Sequence, residues 1–161
     1  MQTPTHLMMG VRIDQTVPEI KPGLLRRLVI AFLSITSHAI LDALSALTYH
    51  PPEASPGDRF WLGYHTMLTG LTFRVWIKNQ QYHKWAMICS VLPDLDWLFI
   101  KIPNLIRVQT IHSQRPVLHE ALSEALLSIP PLKLLKRLPN LRQAKVAATL
   151  ELIAYVFLSG E

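Results

Sequence analysis

Cysteine is almost missing from this sequence: Cys89 stands alone among 161 residues. That excludes an internal disulfide and a zinc site built on thiolates. Its apolar neighbours Ile88 and Val91 mark it as a buried packing thiol rather than a reactive one. Charge is scarce as well. Asp, Glu, Lys and Arg make up 17% of the chain, where an ordinary soluble domain carries about a quarter. Several catalytic templates are also absent: there is no glycine-rich phosphate loop and no Gly-x-Ser-x-Gly elbow. His119-Glu120 opens like a zinc-protease helix, but Ser123 stands where the second histidine belongs. Met1 to Gly10 lack the basic, apolar and small-residue order of a secretory signal, so no cleaved targeting segment is expected. Neither an internal repeat nor a low-complexity tract is present.

What the chain does have is apolar surface and histidine. Half of its residues are hydrophobic and the mean hydropathy is +0.24. The net charge is +5, but the basic residues lie in short pairs beside apolar segments. That placement fits anionic lipid better than nucleic acid, and the aromatics that a nucleic-acid platform interleaves with its cations are missing. The length fits one helical domain over residues 1–161.

Prolines divide the apolar runs. In residues 1–22, Thr5 can cap a short helix through His6, Met9 and Ile13, weakened by Gly10. A long apolar run from Leu28 to Tyr49, stopped by Pro51-Pro52, reaches the length of a bilayer crossing. It carries His38 and Asp42, and a charge at mid-bilayer costs about 3 kcal/mol, so its polar stripe must face other helices or water. A second run, Phe60 to Ile77, has Trp61, Tyr64 and Trp76 placed as interfacial anchors. A polar hinge, Lys78 to Lys84, is expected to separate it from a third run, Trp85 to Ile102, which Pro93 interrupts. After a loop at 103–116, a fourth helix spans Val117 to Ser128. A basic, leucine-rich piece from Leu132 to Arg142 then suits an interfacial helix, and a last apolar segment covers Ala144 to Leu158.

Chemistry concentrates on histidine and aspartate. His38 and Asp42, four apart, share one helix face; they can ligate one ion or simply hydrogen-bond inside a bundle. Asp94 and Asp96 lie in an apolar run with no compensating base. Buried carboxylates must be protonated, paired or cation-bound, and capping of the next helix would account for one of the two. Of the seven histidines, His83 is expected at the solvated surface, His50 at a helix end, and His65 in an apolar interior. His119, with Glu120, opens the fourth helix as a ligand or general base.

Thr5-His6-Leu7 with Gly10, then Ser37-His38-Ala39-Ile40-Leu41-Asp42, then Leu92-Pro93-Asp94-Leu95-Asp96 occur in that order. Together they resemble the inner-membrane-associated, metal-dependent hydrolases described as LexA-regulated. The resemblance runs from about Thr3 to Leu122, and Pro-Asp-x-Asp is its most specific element. The family's third element is a His-Arg pair with a further His four residues after the Arg. Arg115 and His119 match it, while Gln114 holds the place of the first His and His112 lies two residues earlier.

The resulting expectation is an all-α, four- to five-helix bundle, embedded in or bound to the inner (cytoplasmic) membrane, with a polar site between helices. Proposed ligands for one or two divalent ions (zinc, manganese or iron) are His6, His38, Asp42, Asp94, Asp96 and His119. Asp96, Arg115 and His119 would serve catalysis, Arg115 steadying an anionic group while the metal activates water against a phosphoester or lipid. Membrane lipid is the expected partner. The rivals are a non-enzymatic membrane protein with structural His and Asp contacts, and a small ion or proton transporter.

Overall fold

The computed structural model describes residues 2–21, 23–49, 55, 57–94, 117–138, 141 and 143–160, with the backbone alone at 117–120 and 136. Among these residues there are helices and turns and no strands. The α-helices are α1 (Thr3–Thr16), α2 (Gly23–Leu44), α3 (Arg59–Val91), α4 (Val117–Leu127), the single turn α5 (Pro130–Lys133) and α6 (Ala144–Ser159). Short 3-10 turns follow α2, α3 and α5.

The first helix is the centrepiece rather than a short, weak element. Pro4 occupies its first turn, where a missing N–H costs nothing, and Pro4, Thr5, His6, Leu7, Met8, Gly10 and Val11 are all buried. α1 packs most heavily on α3 and also touches α2 and α6. Gly10 is what permits the α1–α3 approach: a Cβ there would stand 2.7 Å from the Ala86 carbonyl oxygen and 2.9 Å from Ser90 Oγ. Three apolar clusters hold the arrangement. Leu7, Met8, Val11, Val75, Met87 and Tyr155 join α1, α3 and α6; Val17, Ile30 and Ala86 join the end of α1 to α2 and α3; Tyr64, Leu68 and Ala148 join α3 to α6. Each large apolar side chain so buried contributes roughly 1.5–3 kcal/mol.

Several expectations are corrected here. The polar stretch Lys78 to Lys84 does not separate two helices; α3 runs through it, with a bend at His83 (φ −118°, ψ 15°). No proline or glycine stands nearby to break the helix. The bend coincides with a tether instead: His83 Nδ1 lies 2.9 Å from Asp14 Oδ2, and Asp14 Oδ1 takes Arg26 Nη2 at 2.8 Å. His83 is thus tied to α1 through Asp14, which also holds Arg26 of α2, and is not a solvated surface residue. Tyr64 is likewise no interfacial anchor, since it is buried against Leu68 and Ala148. Among the described residues, the basic leucine-rich piece after Pro131 forms α5 and a 3-10 turn through Arg137 rather than one interfacial helix. His65 is partly buried, its Nδ1 on the Trp61 carbonyl at 2.9 Å and its ring stacked on Trp61, while Cys89 is buried as expected.

Gly23–Leu47 is long and apolar enough to cross a membrane. Its two halves differ. Leu24, Leu25, Leu28, Phe32 and Leu33 are exposed in the N-terminal half, whereas Ser34, His38, Ala39 and Leu41 are buried in the C-terminal half. A second exposed apolar face, Val146, Leu150, Ile153 and Phe157, repeats at helical spacing along α6.

Candidate metal centre

The candidate centre begins with the way α3 ends. Pro93 has no N–H to continue the helical ladder, so α3 stops at Val91 and a 3-10 turn, Leu92–Asp94, follows. Last-turn carbonyls then need partners from outside the helix. The Ser90 carbonyl accepts from His38 Nδ1 at 2.7 Å, which fixes the orientation of the imidazole on α2.

The other ring nitrogen of His38 faces two carboxylates. Nε2 lies 3.1 Å from Asp42 Oδ2, one helical turn away, and 3.4 Å from Asp94 Oδ1. From α1, His6 Nε2 reaches the remaining Asp42 oxygen, Oδ1, at 3.0 Å. The two imidazoles stack, ring centroids 4.1 Å apart and 23° between planes. One ligand atom from each of His6, His38 and Asp42 falls within 4.8 Å of the others. Burial is one-sided: both histidines are 1% exposed, while Asp42 is 19% and Asp94 37% exposed. A ligand from solvent therefore meets the carboxylate edge, with the imidazoles behind it.

The spacing suits a bound cation. Two ligand atoms each about 2.1 Å from one ion stand about 3.0 Å apart at an octahedral edge and about 3.4 Å at a tetrahedral one, and the three contacts above span that interval. The electrostatics agree. With Nδ1 donating to a carbonyl, a neutral His38 would point its Nε2 lone pair at two acceptors, which repel it; either a proton or a metal ion must sit there. Burial pushes His6 below the ordinary imidazole range, aided by the neighbouring His38 and against the Asp42 hydrogen bond. For Asp94, burial works to raise the carboxyl, but the His38 hydrogen bond and charge outweigh it and hold it below the usual carboxylate range. A neutral His6 and an ionised Asp94 are the forms in which each would bind a metal.

Of the six ligands expected from the sequence, the structure brings together His6, His38, Asp42 and Asp94. Asp96 and Arg115 lie outside the described residues, as do His50, His112 and Gln114, and His119 is described only as a backbone position in α4. The Ser90 carbonyl that orients His38 was not foreseen; a main-chain group at a proline-terminated helix end leaves only the proline as its signal. Compared with family models, curated proteins and solved structures, the chain matches none.

Proposed function

We propose that this chain is a membrane-bound, metal-dependent hydrolase of the inner-membrane family it resembles, acting on a phosphoester such as a lipid headgroup. The observation that carries the metal reading is the His38 imidazole, tied through Nδ1 to the Ser90 carbonyl and aimed through Nε2 at Asp42 and Asp94. A divalent ion there would act as a Lewis acid and make water nucleophilic at neutral pH. His38 and His6 would hold it from the buried side and Asp42 from the carboxylate edge; Asp94, the most exposed member, borders the open side where substrate would arrive. In this proposal Asp96 completes the carboxylate set, Arg115 steadies the anionic group and His119 moves the proton. Zinc, manganese and iron all suit mixed imidazole and carboxylate ligands. Membrane attachment is supported by the exposed Leu24, Leu25, Leu28, Phe32 and Leu33 of α2 beside exposed Arg27, an apolar face with a basic flank.

The competing reading is a structural polar contact without metal, favoured by the 3.0 Å His6–Asp42 contact, which is itself a good hydrogen bond. Calorimetric titration of the metal-free protein with zinc in two buffers of different ionisation enthalpy separates the two. Binding near one ion per chain is expected, with proton release, because the metal must displace the proton on His38 Nε2. A flat titration at tens of micromolar protein would leave only the structural contact. Attachment is read separately by flotation with vesicles of mixed neutral and anionic lipid. Wild type is expected to float and Leu28→Gln/Phe32→Gln largely to stay in the soluble fraction; equal flotation of the two would rule out this face as the anchor.

A further inference from the structure

A second buried carboxylate lies outside the metal cluster. Glu151 on α6 is fully buried among Ala147, Ala148 and Tyr155. An apolar side chain of similar size would fill that place without the cost of desolvating a carboxyl, so the acceptor must be used. Its partners belong to the first turn of α1. Glu151 Oε1 accepts from the Gln2 main-chain N–H at 3.1 Å and from the Thr5 hydroxyl. Gln2 is the N-cap of α1 and supplies no side-chain cap of its own. One of the N–H groups that open the helix, that of Gln2, is thus served by a carboxyl from another helix, set at the positive end of the α1 dipole. Tyr64 packs against Ala148 of the same helix; burial first, and then the nearby Glu151 charge, hold its hydroxyl above the usual phenol range.

Thr5 is the neighbour of His6. We propose that Glu151 is a positioning residue: by gripping Gln2 and Thr5 it fixes the rotation and depth of the first turn of α1, and so sets where His6 Nε2 meets Asp42. The inference rests on the metal reading above for its consequence, but the grip itself does not. Metal–ligand distances hold to about 0.2 Å, so a small rotation of that turn takes His6 out of range, although Glu151 makes no contact with the ion. His38 and Asp42 on α2 have no such dependence.

The test uses the full chain and four variants. Glu151→Gln keeps an oxygen at the Oε1 position, whereas Glu151→Leu removes it; Thr5→Ser keeps the hydroxyl, whereas Thr5→Val removes it. Zinc affinity is measured by chelator competition, the ligand field by visible absorption of the cobalt-substituted protein, and the His6 ring by its side-chain nitrogen resonances in metal-free protein. Glu151→Leu and Thr5→Val are expected to weaken zinc binding about tenfold or more, to change the cobalt spectrum and to shift the His6 resonances. Glu151→Gln and Thr5→Ser should restore all three. If Glu151→Leu does not fold, the Thr5 pair decides. Wild-type zinc affinity and unmoved His6 resonances in Glu151→Leu or Thr5→Val would overturn the proposal, as would a Glu151→Gln protein as impaired as Glu151→Leu. Should wild type bind no zinc, the metal reading falls, and the His6 resonances alone decide the grip.

Discussion

His38→Ala is expected to weaken divalent metal binding by about 100-fold or more, beyond the ten- to hundredfold typical when a residue supporting a ligand is lost. His38 is the one group that joins all parts of the centre: Ser90 from α3 behind it, Asp42 one turn along α2, Asp94 from the turn after α3, and the His6 ring stacked on its face. The loss should be visible as stability too. At metal one hundred times above the dissociation constant, wild type gains about 2.7 kcal/mol from mass action, and the variant should show no metal-dependent rise in melting temperature over the same range. Comparing each protein with and without metal removes the separate effect of deleting a buried ring. His65→Ala is the control, because His65 bonds within α3 to Trp61 and takes no part in the cluster. A His38→Ala protein that keeps a wild-type metal shift would place the ion elsewhere.

The candidate site was more legible in the sequence than the packing that builds it. The four-residue spacing of His38 and Asp42 needs only a helix to become a shared face, and Asp94 needs only a proline break to be turned inward, so local rules suffice. The stretch from Lys78 to Lys84 misleads because polarity alone does not mark a helix boundary. It contains no residue that ends a helix, and its polar side chains mostly line the exposed side of α3, while His83 and Asp14 meet across 69 positions of chain. Tyr64 misled for a similar reason: an aromatic near the end of an apolar run fits a lipid interface or a protein interior, and only the partner helix, here α6 with Ala148, decides. Glu151 could have been found. A lone carboxylate in the apolar run Ala144 to Leu158 is the same anomaly that singled out Asp94 and Asp96, and the cost of burying it demands a partner in the same way. Which partner it takes depends on α1 and α6 lying side by side, and no sequence period encodes that.

Gly10→Ala is expected to be the most damaging single methyl in the chain. At Gly63 and Gly70, within α3, the exchange should help: an added Cβ meets nothing within 4 Å, and alanine should stabilise the helix by about 0.5–1 kcal/mol. At Gly10 that gain is opposed by contacts of 2.7 Å to the Ala86 carbonyl oxygen and 2.9 Å to Ser90 Oγ. The first is main chain near the C-terminal end of α3 and cannot rotate away, so α1 and α3 must move apart, at a cost of about 1–3 kcal/mol. The net effect in urea unfolding should be destabilising, and Gly10→Val more so. The separation also reaches the candidate metal centre. Gly10 is one turn from His6 on α1, and Ala86 is one turn from Ser90, whose carbonyl orients His38. Opening the crossing therefore pulls His6 from Asp42 and strains the Ser90–His38 bond together, so metal affinity should fall about tenfold or more alongside stability. Gly70→Ala should change neither adversely. If Gly10→Ala instead matched Gly70→Ala in both measurements, the close α1–α3 crossing could not be what holds the two imidazoles in register.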